Sequence, residues 1–192
     1  MSYEEIPEDF NFVSAENVAK RALALFGVWL LSIDATPRQD VIKWIKGNDL
    51  WSSLSPKEAV FLNDPNATEK QKISYSWQAE RLHILLWALN EITELAPAHE
   101  KCETDIFQKA FSPLNQTTAQ RYLKTANLRD ELEILSLCET IENYHWEARN
   151  AQIKNQAPKI KVDIEIIQER HHAINWVLWG EYENWDDITT DT

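Results

Sequence analysis

Apolar side chains recur along this chain at helical spacing, and runs in which Val, Ile or Thr alternate with polar residues are scarce. Capping signals divide that pattern into elements. Ser14 opens a helix expected to reach about Ile33, and Thr36-Pro37 opens a second that Gly47 closes. Ser55-Pro56-Lys57-Glu58 reads as a capping box with proline at the first helical position, and that short helix ends before Asp64-Pro65. Thr68 and Gln71 start a fourth, expected to run to about Leu95. After a connector over 97–104 come two short pieces split by Ser112-Pro113, a long helix over about 128–153, and a last helix from Asp163 to Gly180. The expectation is an all-α, single-domain bundle of five or six main helices, with the fourth, fifth and last around one core. An acidic leader spans 1–13, the helical domain spans 14–192, and the C-terminal tail packs back on the domain through Trp185, with Asp186 and Asp187 capping a helix end or meeting an Arg.

Placing residues at 100° per step turns the helices into faces. On the long helix Ile134, Leu137, Cys138, Ile141, Tyr144 and Ala148 form the apolar stripe, and His145, Arg149 and Glu142 share its sector. On the last helix Arg170 projects from among Ile166, Ile167, Ile174, Val177 and Leu178, with His171 at the border. Glu80 points between Ile73, Ile84 and Trp87, and Arg21 is the last charge before Asp34. Trp29, Trp77, Trp87 and Trp146 fall on or beside faces that should be buried.

Composition changes this picture in three ways. A chain of 192 residues that is 44% apolar, with nine Trp, is long enough for one generous core without disulfide or metal staples. A formal charge of −12 with no basic patch repels phosphate backbones, so nucleic acid is not an expected partner. The uncharged run 22–33 is too short to span a bilayer, so no membrane is expected either; the acidic start and two unrelated cysteines, Cys102 and Cys138, suit a reducing cytoplasm.

The inward ionisable groups are the candidate chemistry: Arg21, Glu80, His145, Arg149, Glu169, Arg170 and His171. Burying an unpaired charge costs several kcal/mol. One reading pairs Glu80, Glu142 or Glu169 with the arginines and lets His145 donate to a backbone carbonyl. The other gathers guanidiniums and His145 on a cleft for a small anionic ligand, with His145 or His171 as general base and Glu80 or Glu169 as a second carboxyl group in a catalytic version. No metal centre or cofactor is expected. His171 and His172 leave a helix 100° apart, unlike the i, i+4 pair of helical zinc motifs, and arginines beside His145 and His171 oppose a dication. Phosphate-loop and nucleophile-elbow patterns are absent.

Taken together, Arg21, Leu50-Trp51, Leu54-Ser55-Pro56-Lys57-Glu58, Trp77-Gln78-Ala79-Glu80, Leu86-Trp87-Ala88-Leu89, His145-Trp146-Glu147-Ala148-Arg149, Glu169-Arg170-His171-His172-Ala173-Ile174-Asn175-Trp176 and Trp185-Asp186-Asp187-Ile188 resemble a largely bacterial family known as domain of unknown function 4272. The resemblance runs from about Arg21 to Thr192. Asn150 departs from it, standing where the family pattern favours an acidic residue. What the resemblance implies is a cytoplasmic helical domain without an assigned activity. The functional expectation is a non-enzymatic binding domain that neutralises a basic partner protein; the alternative is an enzyme or sensor for a small anionic ligand.

Overall fold

A computed structural model describes residues 11–111, 116–180 and 184–192, leaving aside the side chains of 116–118. Among the described residues the elements are α1 (Ala15–Ser32), α2 (Arg38–Gly47), a 3-10 turn (Trp51–Ser53), α3 (Pro56–Asn63), α4 (Glu69–Ser76), α5 (Gln78–Ala88), α6 (Asp105–Phe111), α7 (Gln116–Thr125), α8 (Glu131–Ile153), α9 (Ile164–Trp179) and a second 3-10 turn (Trp185–Asp187). The bundle is all-α, but five or six main helices is an undercount: eight main helices are present, with the seven-residue α6 as a shorter ninth. Most of the excess comes from short helices flanking the core. The expected fourth helix is also two helices, broken at Trp77 and stopping at Ala88 rather than near Leu95. No residue of α4 is buried, whereas all of α5 except Arg81 is, so the chain changes from a surface path to a core path where the axis breaks. The leader's first ten residues and the Ser112-Pro113 break lie outside the described residues.

The caps act as their chemistry requires. Ser14 accepts from Asn17 N–H, Ser55 from Glu58 N–H and Thr68 from Gln71 N–H, the last two as full capping boxes. Helix ends use a less obvious device. Asp34, Asp49, Asn90 and Asn155 all have positive φ, between 51° and 61°. At each, two backbone bonds reach back in the Schellman pattern, as in Asn90 N–H to Trp87 O at 3.1 Å and Glu91 N–H to Leu86 O at 2.9 Å. The second helix therefore closes on Asp49, two residues beyond Gly47, the last helical residue.

The core is organised around α1, which the expected arrangement of fourth, fifth and last helices left out. From Ala22 to Ser32 every residue of α1 is buried, and it touches α2, α3, α4, α5, α7 and the first 3-10 turn. Gly27 lets α2 approach, because a Cβ there would stand 2.9 Å from Ile45 Cδ1. Phe26 and Trp29 meet Phe111 and Phe107 of α6 at ring separations of 5.0 and 5.2 Å. On the other side α5 and α8 both pack on α9. Ile73 is exposed, not a neighbour of Glu80's apolar surroundings, and Trp146 is 52% exposed, so both depart from the faces drawn above.

The one buried charge of α1 bears on how the far end of the chain returns. Arg21 is 3% exposed; its Nη1 and Nη2 lie 2.7 and 2.6 Å from the two carboxylate oxygens of Glu58, and Nη1 also donates to Ser53 O. Glu58 Oε2 meanwhile accepts Ser55 N–H at 2.9 Å, so one carboxylate closes the capping box and neutralises the arginine. Trp185 covers the pair, its ring 3.8 Å from the guanidinium carbon, with Trp176 and His172 edge-on to it. Asp186 then accepts from Lys57 N–H in the first turn of α3.

Removing Arg21 strands a buried carboxylate, so Arg21→Met should lose about 3–5 kcal/mol in urea denaturation, and Arg21→Met/Glu58→Met should recover much of it. A loss below about 0.5 kcal/mol in the single variant would show that the pair is not holding the fold.

Candidate functional site

Four consecutive ionisable residues on α9, Glu169 to His172, leave the helix in four directions because each is turned 100° from the last. Each finds a different partner. Glu169 pairs with Arg81 of α5, at a contact where both side chains are about one-fifth exposed. Arg170, 3% exposed, donates from Nε to Glu80 Oε2 at 2.9 Å, from Nη1 to Ala96 O and Pro97 O, and from Nη2 to Glu100 O at 3.0 Å. His171 Nδ1 lies 3.0 Å from His145 Nδ1 of α8, the rings edge to face. His172 Nε2 lies 2.9 Å from Trp185 O and 3.3 Å from Arg81 Nη1.

Of the seven candidate residues, the structure thus joins Glu80 with Arg170 and His145 with His171, while Arg21 and Glu169 sit in separate pairs. Arg149 is exposed and does not face the core, and Glu142 is exposed as well. The buried arc of α8 runs through Ile134, Leu135, Ile141, His145, Ala148 and Ala151, which turns position 149 outward. His145 meets another imidazole rather than a backbone carbonyl. Glu58 and Arg81 were missed as partners, the first because its capping role accounts for it, the second because it lies beside the inward Glu80. Also missed was His83, buried three residues from Glu80 on α5; the Glu-x-x-His spacing was its signal. Glu80 Oε1 accepts Cys102 N–H at 2.7 Å, and one atom each from Glu80, His83 and Cys102 lie within 4.8 Å of one another.

Two clefts adjoin these pairs. One of about 490 Å³ is lined by Lys20, Arg21, Ser53, Ser55, Trp176 and Trp185. The other, of about 260 Å³ between α8 and α9, is lined by Cys138, Glu139, Glu142, His171, Trp179 and Asp191, among others. A family model described as Domain of unknown function (DUF4272) matches residues 3–188. The chain belongs to this family. The match begins well upstream of Arg21 and takes in every ion pair described above. No curated protein and no solved structure matches this DUF4272 chain. Among its described residues no helix is long and apolar enough to cross a membrane.

In this DUF4272 chain burial favours the neutral form of His83, His145, His171 and His172. Desolvation, and then Arg170's charge, lowers His83 from 6.5 to about 4; desolvation, and then His145, lowers His171 to about 4. Desolvation lowers His172 furthest, to about 2, with Arg81 adding to it, and His145 is lowered by burial and by Arg149 one turn along. Since the folded-state values lie below the unfolded one, the unfolded chain takes up protons first as pH falls. The stability from these neutral rings is complete above about pH 6.5 and is lost as pH falls below it, down to about pH 4 for His83 and His171 and about pH 2 for His172, at about 1.4 kcal/mol per pH unit for each of those three rings. Urea midpoints at pH 7.5, 6 and 5 should fall in that order, and His172→Gln should flatten the slope; equal midpoints at pH 7.5 and 5 would contradict it.

Proposed function

We propose that this chain is a non-catalytic recognition domain for a basic partner protein, and that the cleft between α8 and α9 receives a lysine or arginine side chain of that partner. The observation that supports it most is the lining of that cleft: Glu139, Glu142 and Asp191 stand around a floor of neutral His171, with Trp179 at the side. Three carboxylates and no cation among the described lining residues suit an ammonium or guanidinium. The inward guanidiniums support the same reading by elimination. Arg170 spends its Nε, Nη1 and Nη2 on Glu80 and backbone carbonyls, so it offers little to an anion. The overall charge of −12 would also draw a basic partner in by long-range steering.

Titration calorimetry with a short peptide of alternating lysine and alanine should show salt-sensitive binding. Glu139→Lys/Glu142→Lys should weaken it by about tenfold or more, equivalent to ~1.4 kcal/mol. Glu94→Lys/Glu165→Lys makes the same change of net charge elsewhere and should matter far less. No binding by the parent chain, or equal losses in the two doubles, would overturn the reading.

A second reading, a sensor for a small anionic ligand, attaches to the cleft beside Arg21. Arg21 Nε and Trp185 Nε1 are buried donors without an acceptor among the described residues, and Lys20 and Ser55 share the cleft lining. Inorganic phosphate should then raise the melting temperature of the parent chain and have no effect on Lys20→Ala; an unresponsive parent removes this reading.

A further inference from the structure

One cluster takes no part in either reading. Glu80 and His83 are three residues apart on α5, so their side chains stand next to each other on one face of the helix. Cys102 is brought to them from the connector before α6 by the bond from its own N–H to Glu80 Oε1, 2.7 Å long. All three residues are buried, at 2%, 3% and 7% exposure. His83 Nδ1 is the unexplained atom: it is sealed from water and has no hydrogen-bond partner among the described residues. A buried imidazole nitrogen without a partner, on a ring that stands beside a carboxylate and a thiol, is costly as a purely structural choice.

We propose that Glu80, His83 and Cys102 form a binding site for a divalent metal ion of the zinc class. One oxygen, one nitrogen and one sulfur within 4.8 Å of one another are close to a tetrahedral face, whose edges for zinc bonds of 2.0–2.3 Å are about 3.3–3.8 Å, so small side-chain rotations close it. The carboxylate is already oriented from behind by Arg170 on Oε2 and by the backbone on Oε1, the outer contacts that hold metal ligands in place. There is also a way in. A cleft of about 260 Å³ lined by Trp77, Ala79, Lys101 and Thr104 includes Glu80 and Cys102 in its wall.

The charge balance is explicit. Without metal the Cys102 thiol keeps its proton, which burial and Glu80 both favour. On binding, that proton leaves to solvent and the thiolate sulfur takes the metal, so one proton is released per ion and affinity rises with pH. The dication, the thiolate and the Glu80 carboxylate sum to zero. Arg170's positive charge is left facing the three carbonyls that already accept from it. Bound metal would fasten the connector carrying Cys102 to α5.

Cobalt(II) is the probe, because a tetrahedral cobalt–thiolate centre has a near-ultraviolet charge-transfer band and visible bands that zinc abolishes. The full chain and Cys138→Ala should both bind one equivalent with that spectrum. Cys102→Ser should lose the charge-transfer band, and His83→Leu, which replaces an unpartnered ring with an apolar side chain, should bind cobalt more weakly by well over about tenfold. Far-UV circular dichroism confirms that each variant is helical, and His83→Leu provides the decision should Cys102→Ser fail to fold. A parent chain without the band at millimolar cobalt, a band that survives Cys102→Ser, one lost in Cys138→Ala, or unchanged affinity in His83→Leu would each overturn the proposal.

Discussion

A guanidinium shut away from water needs a partner for its N–H groups, and that requirement decides how this bundle is assembled. Arg170 meets it with Glu80 of α5 and the carbonyls of Ala96, Pro97 and Glu100, so α9, α5 and the connector after α5 must arrive together. Arg21 meets it at Nη1 and Nη2 with Glu58 and Ser53 O, drawing α3 and the first 3-10 turn onto α1, and Trp185 seals that contact. Apolar burial supplies most of the driving force, but apolar faces slide and rotate against one another at small cost. The two arginines remove that freedom by making one register far better than its neighbours.

The same use of charge has a functional side. Each buried arginine is matched by a buried carboxylate, so the formal charge of −12 is carried by the rest of the chain, and three of its carboxylates line the concave α8/α9 cleft. On the proposed reading, a cation held there would leave the buried Arg21–Glu58 and Arg170–Glu80 pairs in place. On that reading His171 serves both assembly and recognition, as half of the buried histidine pair and as part of the cleft lining.

How much of this could be read from the chain depended on whether a signal was local. Ser14, Ser55 with Glu58, and Thr68 with Gln71 announced helix starts correctly because a cap is decided within four residues. The inward placement of Arg21, Glu80, His145, Arg170 and His171 was legible from helical faces. Faces drawn at 100° have soft edges, however, and Arg149, one turn from the buried His145, falls just outside the buried arc of α8. The break at Trp77 has neither Gly nor Pro to mark it, since it reflects where α4 leaves the surface and α5 enters the core. Partners set by tertiary contact were the least visible: Glu58 reaches Arg21 across 37 positions, and Cys102 reaches Glu80 across 22. Neither distance leaves a trace in local spacing.

The four helix stops on Asp34, Asp49, Asn90 and Asn155 bear on a state of the molecule that has no fixed structure at all. Glycine would fit the left-handed conformation there without strain, whereas an Asp or Asn holds it at a cost of about 1–2 kcal/mol. Yet each glycine also widens the range of backbone conformations open to the denatured chain, and ordering it on folding costs more entropy. With only three glycines in 192 residues, the disordered ensemble of this protein is unusually narrow, and the strain accepted at the four stops is offset by what folding no longer has to restrict.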